Sequence, residues 1–232
     1  MISQNKKIDT LFHWIEETAA TATGLLIPVS GGSDSALCFW LCTQVFPEKT
    51  FAVHARSLAN DAVGGRELRA ASWFESVGEV EYVDIPGTHE KREEMRWARF
   101  LSLGLSRRAW LVSSRNRTED LLGTYSLASR LCTYLPLVGT WKSDVLALAA
   151  FVDVPEEIIA SSLRADPDCG RPQELAEIPF EKVETFLKVR YGEALDAQLS
   201  TLTLGQLQYL DAIHRHNVFK ATLPIRGPRH SP

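Results

Sequence analysis

The sequence predicts a three-layer α/β sandwich, with helices on both faces of a mostly parallel sheet of about five strands. Three observations predict it. Short apolar runs alternate with segments of helical periodicity along most of the chain. The first run, Leu25 to Val29, passes directly into a glycine-rich turn and then a helix-forming stretch. The chain has 232 residues, 45% of them apolar, enough for one sizeable core, so residues 1–232 are expected to form a single domain.

The elements follow in order. Ile8 to Thr18 places Leu11, Trp14 and Ile15 on one helical face. Leu25 to Val29 is the first strand, Ala36 to Val45 a helix, and Thr50 to His54 the second strand. Glu67 to Ser76 reads as a helix, and Val80 to Ile85 as a third strand closed by Pro86-Gly87. Glu90 to Leu103 is a helix with Arg96 and Arg99 three residues apart on one side, and Ala109 to Ser113 is a fourth strand. Ser143 to Phe151 is an amphipathic helix, and a further helix starts at Val154-Pro155, with Pro155 near its first turn.

The most informative segment is PVSGGSDSAL, Pro28 to Leu37. Gly31 and Gly32 let the backbone turn tightly and approach a ligand with no Cβ in the way. Ser30, Ser33 and Ser35 add hydroxyls, and the new helix aims its free N–H groups at the turn. Such a turn is a cradle for phosphate or pyrophosphate. Asp34 beside bound phosphates is repulsive unless a cation lies between, so it points to Mg²⁺. A serine-rich helix cap would need only one of these residues. The segment is not a Walker A loop, because Asp34 and Ser35 stand where that motif has lysine and a hydroxyl residue.

Two more clusters belong to the same crevice at the carboxyl ends of the strands. Asn116 and Glu119 lie three apart after the fourth strand; Glu119 could complete a magnesium site with Asp34, and the same Asn-Arg-Thr-Glu could equally be a helix cap. Lys142 stands just before the Ser143 helix, where its ammonium could reach bound phosphates. By itself it would be read as a solvated surface lysine.

Composition bounds the function. No run of eighteen apolar residues predicts a membrane span, and MISQNKKIDT lacks an apolar signal core. Cys38, Cys42, Cys132 and Cys169 have no CxxC spacing and are read as buried thiols in a reducing cytoplasm. The net charge of −4 argues against a strongly basic nucleic-acid surface, although Arg107-Arg108 and Arg115–Arg117 keep a local patch open.

SGGSDS closely resembles the PP-loop of the ATP pyrophosphatases, with the fold called adenine nucleotide alpha hydrolase-like. The longer order resembles the ammonia-dependent NAD synthetases over roughly residues 5 to 225. That order is the PP-loop, Asn-x-x-Glu, then Leu135-Pro136-Leu137 with Trp141-Lys142 and Val154-Pro155-Glu156-Glu157-Ile158-Ile159. Val183 to Leu187 resembles the family's last acidic-apolar helix, and His216 to Pro224 a weakened version of its basic tail.

The resemblance implies that Ser30, Gly31, Gly32, Ser33, Asp34 and Ser35 hold the pyrophosphate of ATP, that Arg115 and Lys142 contact ATP, and that Asp34 and Glu119 bind Mg²⁺. Asp34 and Lys142 are then the catalytic pair. Arg96, Arg99, Asn116 and Glu174 are candidates for the second substrate. The implied reaction adenylates a carboxylate, most simply that of deamido-NAD, and amidates it with ammonia to give NAD, AMP and pyrophosphate. The length leaves no room for a glutaminase domain beside this core, so free ammonia or a partner would supply nitrogen. The family is a homodimer with a shared substrate site. Trp97 and Phe100 could form a subunit face, or could equally be ordinary core.

The departures are local. The family has a glycine-acid-glycine loop where this chain has Thr124 to Tyr134, with neither. Its Thr-Gly before the asparagine is Ser114-Arg115 here, and of its Asp-Glu pair only Glu174 remains. Two alternatives stay open: a PP-loop enzyme acting on another small acid or a tRNA base, and a non-catalytic nucleotide-binding protein.

Overall fold

The computed structural model describes residues 3–57, 68–85, 92–164 and 172–222. Pro86-Gly87, Cys169 and residues 165–171 of the segment Ser161 to Glu174 lie outside the described residues. The element order is α1 (Gln4–Ala19), β1 (Leu25–Pro28), α2 (Ser33–Val45), β2 (Thr50–Ser57), α3 (Ala71–Val77), β3 (Glu79–Ile85), α4 (Arg92–Ser106) and β4 (Trp110–Leu111). There follow α5 (Arg117–Leu122), α6 (Lys142–Phe151), α7 (Glu156–Ser161), α8 (Gln173–Ala176), α9 (Phe180–Arg190) and α10 (Leu204–Asn217).

The four strands pair in the order β3-β2-β1-β4, and every pairing is parallel. A single parallel bridge, Val112 to Tyr134, extends the sheet beyond β4 in place of a full fifth strand. The chain runs outward from β1 to β3, then returns to the other side of β1 as β4. The strand order therefore reverses between β1 and β4, and a crevice opens at their carboxyl ends.

Two cores cover the two sheet faces. Leu25, Ile27 and Ala52 point into a core with α1, α2, α3, α6 and α7 residues, including Ile15, Leu37, Phe39, Phe74, Leu148 and Ile158. Leu26, Phe51 and Val53 point the other way, onto Phe100 of α4 and Cys132. The alternation within Leu25-Leu26-Ile27 thus feeds both faces, as a parallel sheet buried on both sides requires. Helix α2 is apolar all round because it is central: Ala36, Leu37, Cys38, Phe39, Leu41 and Cys42 are all fully buried. Cys38 and Cys42 are free thiols, and the hydrogen bond between them raises Cys38 well above the ordinary thiol range, with burial second.

A third cluster joins α5, Trp141 and the C-terminal helices through Leu122, Ile178, Phe186, Leu187 and Leu210. The chain end fastens here. Gly123 ends α5 at φ +73°, and a Cβ on it would lie 2.4 Å from Asn217 Cβ, so only glycine lets these segments meet. Among the described residues, no helix is long and apolar enough to cross a membrane.

Two expectations change. Helix α2 begins at Ser33, not Ala36, so the PP-loop serines and Asp34 occupy its first turn. Phe100 is buried and Trp97 half-buried, packed edge-to-face at 5.7 Å on the sheet core, so of the two alternatives the pair fits core packing within the chain. Pro155 lies next to the first turn of its helix as expected, as the N-cap of α7.

The end of α1 has no side-chain cap of its own. Lys49 supplies one, donating to the carbonyls of Ala19, Ala20 and Ala22 at 3.2, 3.1 and 3.0 Å while its ammonium lies 3.9 Å from the Phe46 ring. Lys49→Met keeps the apolar stem and removes the donors. It is expected to lower unfolding free energy by about 1–3 kcal/mol in urea titrations, with unchanged m-value.

Candidate functional site

Asp34 is where three chain segments meet. It lies in the first turn of α2, after the turn that leaves β1. Gly31 makes that turn at φ +79°, and a Cβ there would press on Arg69 at 3.3 Å. Gly32 is extended, and a Cβ on it would meet no backbone, which leaves this edge of the turn open. The turn is braced internally: the Ser30 N–H donates to Ser35 Oγ at 3.2 Å, and Ser35 Oγ donates to the Gly32 carbonyl at 3.0 Å. The first-turn N–H groups of α2 have no acceptor within the helix, and its dipole adds positive potential.

The second segment follows β4. Asn116 is the N-cap of α5, with its side chain accepting from the Glu119 N–H at 3.0 Å and Glu119 reaching back to the Asn116 N–H at 3.4 Å. The cap reading is thus correct, but it does not exhaust the motif. The same Asn116 side chain donates from Nδ2 to Asp34 Oδ1 at 2.8 Å, across the crevice between β1 and β4. Glu119 is coupled electrostatically to Asp34: burial first, then the Asp34 charge, push its carboxyl up to about 7, against the pull of Lys142, the Asn116 N–H and Arg115.

The third segment is the start of α6. Lys142 is 5% exposed and so is no solvated surface lysine. Its ammonium forms an ion pair with Asp34 Oδ2 and donates to Ser33 Oγ at 2.9 Å. Ser33 Oγ in turn lies 2.7 Å from Ser162 Oγ, which also accepts from the Ser33 N–H at 3.3 Å. Ser33, Asp34, Asn116, Lys142 and Ser162 therefore form one connected polar group, with Glu119 attached through the cap.

Other expected residues are placed differently. Arg115 is buried, but its guanidinium turns to its own segment, 3.1 Å from Asp120 Oδ1 and 3.9 Å from the Tyr125 ring, with Nε bonded to nothing. Arg96 and Arg99 lie on α4, on the sheet face opposite α2. Glu174 is exposed on α8, at the rim of a small groove of about 360 Å³ with Glu177, Ile178, Gly205, Gln206 and Tyr209, and none of the Asp34 group lines it. Three residues that sequence reasoning missed are Ser162, Thr118 and Glu184. The signal for Glu184 was an acid inside the apolar face of α9; nothing local distinguished Ser162 or Thr118.

Among the described residues, no three His, Cys, Asp or Glu side chains gather at one point. Asp34 and Glu119 are near enough for the Asp34 charge to help raise Glu119, and two neighbouring carboxylates suit a cation. Mg²⁺ is commonly held by one or two carboxylates together with substrate phosphates and water, so this donor set fits it.

No protein-family model matches the chain. It is 25% identical over 228 residues to the NH(3)-dependent NAD(+) synthetase of Helicobacter pylori strain HPAG1, covering 88% of each chain. Its fold is similar to the NH3-dependent NAD synthetase from Campylobacter jejuni solved with a nitrate ion, at a TM-score of 0.77 and 18% identity over 98% of this chain and 100% of that one. It is similar as well to the NMN synthetase from Francisella tularensis, at a TM-score of 0.75 and 18% identity over 99% and 100%. A parallel sheet between helical layers is what this chain has in common with those structures. Over most of its length the chain is thus similar in sequence to ammonia-dependent NAD+ synthetases and similar in fold to the solved NAD and NMN synthetases.

Proposed function

We propose that this chain is a carbon–nitrogen ligase that adenylates a carboxylate with ATP and amidates it with ammonia, with deamido-NAD as the acid and NAD as the product. The observation that supports it is the convergence of Ser33, Asp34, Asn116 and Lys142 at the strand-order reversal. The relatives named above add the reaction class.

In this reading the α2 N–H groups and the hydroxyls of Ser30, Ser33 and Ser35 cradle the β- and γ-phosphates. Lys142 turns from Asp34 to the phosphates and balances charge on the departing pyrophosphate. Asp34 and Glu119 hold Mg²⁺, which supplies further charge neutralisation at the phosphates when bound. Asn116 fixes the Asp34 carboxylate from the opposite wall. The acid's carboxylate oxygen attacks the α-phosphorus, the α–β bridging bond breaks, and ammonia then displaces AMP from the acyl carbon. Arg96 and Arg99 are assigned to the anionic acid, in a cytoplasmic homodimer whose second copy completes the acid site.

A second reading, amidation of a smaller acid such as a mononucleotide, is favoured by one observation. In the stretch Thr124 to Tyr134, Leu127–Leu131 is a 3-10 helix. Lys220 donates to the Gly123 and Tyr125 carbonyls at 2.7 and 2.8 Å, and Arg130 donates to the Lys220 carbonyl at 2.8 Å. Much of this segment's polarity is thus spent on the chain's own end rather than on a dinucleotide.

The test is pyrophosphate release with MgATP and ammonia, compared across deamido-NAD, nicotinate mononucleotide, other small carboxylates and unmodified tRNA. Release with deamido-NAD, together with NAD formation, is expected. No response to it at millimolar concentration sinks the lead; release with the mononucleotide alone selects the second reading. A monomer by light scattering at micromolar concentration argues against a shared acid site.

A further inference from the structure

Glu184 is a charged residue 2% exposed, on a helix whose other inward side chains are Val183, Phe186 and Leu187. Burying a carboxylate is costly unless its oxygens are hydrogen-bonded. Here they are. Oε1 accepts from the Ser143 N–H at 2.8 Å and from Thr118 Oγ1 at 3.3 Å; Oε2 accepts from Ser143 Oγ at 2.6 Å and pairs with Lys188 at 3.7 Å.

The donors identify the role. Ser143 is the second residue of α6, whose N-cap Trp141 provides no side-chain acceptor. Glu184 provides it from another helix, beside the positive end of α6. Thr118 is the second residue of α5, between Asn116 and Glu119. Its hydroxyl donates to Glu184 and accepts from the Lys142 N–H at 3.1 Å. One carboxylate therefore ties the first turn of α5 to the first turn of α6. Those turns carry Asn116 and Lys142, both bonded to Asp34.

We propose that Glu184 is a positioning residue for the ATP site: it fixes α5 against α6 so that Lys142 and the Asn116–Glu119 cap meet the phosphates together. This rests on the ATP reading above. A helix cap alone would contribute to stability. A positioning residue must also act on ATP through Lys142.

The experiment is calorimetric MgATP binding to the full chain for Glu184→Gln, Lys142→Ala and the double variant, with thermal unfolding confirming that each is folded. Glu184→Gln is expected to weaken MgATP about tenfold, the scale on which partners that orient a contact group act. In the Lys142→Ala background the same change is expected to add no more than about twofold, because its route is gone. Wild-type affinity in Glu184→Gln, or the full product of the two single losses in the double variant, overturns the proposal. Thr118→Val keeps the α6 cap and cuts only the link to Lys142, so it serves if Glu184→Gln does not fold. Weakened MgATP is expected there, and unchanged binding overturns the proposal. A wild-type chain that binds no MgATP overturns the ATP reading itself, and this inference with it.

Discussion

Asp34→Ala is expected to reduce ATP–pyrophosphate exchange by about 100- to 1,000-fold, with the cognate acid supplied, while the chain remains folded. The size of the effect comes from what meets at this carboxylate. It neutralises Lys142, accepts from Asn116 across the crevice, and is one of two acids suited to Mg²⁺. In the proposed mechanism its removal deletes a ligand of Mg²⁺, and it releases Lys142 and Asn116 from their common partner. A stranded buried charge commonly costs about 3–5 kcal/mol, and Lys142 is buried enough for that to matter. The cost here should be smaller. Glu119 is raised partly by the Asp34 charge, so without Asp34 it ionises more readily and offers Lys142 a replacement. Circular dichroism and urea unfolding check the fold, and unchanged exchange in the variant would remove Asp34 from the mechanism.

Lys142→Ala should fail differently. It leaves Asp34 and Glu119 facing one another without the ammonium, so both stability and exchange fall. The expected losses are about 3 kcal/mol in urea unfolding and about 100-fold in exchange at saturating ATP. Lys142→Arg is not a rescue, because the lysine nitrogen touches both Ser33 Oγ and Asp34, a place for a compact ammonium and not for a planar fork. A Lys142→Ala chain with wild-type stability and exchange would show that the ion pair is incidental.

Asp34, Asn116, Glu119 and Lys142 were each legible as chemistry at a strand-to-helix boundary. That is because glycine turns, caps and helix starts are written in consecutive residues. Sequence offers Arg115 as an ATP contact but does not say where its guanidinium lies: against Asp120 and Tyr125, within ten residues of itself, with Nε left without a partner. Trp97 and Phe100 fitted a subunit face or a core equally well, since an apolar stripe does not say what covers it.

By itself the sequence determined the alternation of strands and helices, the phosphate turn at the end of the first strand, and the order of the polar clusters. These are local properties: apolar period, glycine at positive φ, and hydroxyl or amide caps. Only the tertiary structure decided that Asp34 bonds to Asn116 and Lys142, 82 and 108 residues away, and that Ser162 closes on Ser33 from 129 residues away. It alone turned Glu184 from an odd acid in an apolar helix into the clamp between two helix starts. The physical reason is that hydrogen-bond partners of a buried charge are set by which helix ends the sheet order brings together, and strand order in a parallel sheet is carried by long-range packing that no short window of residues contains.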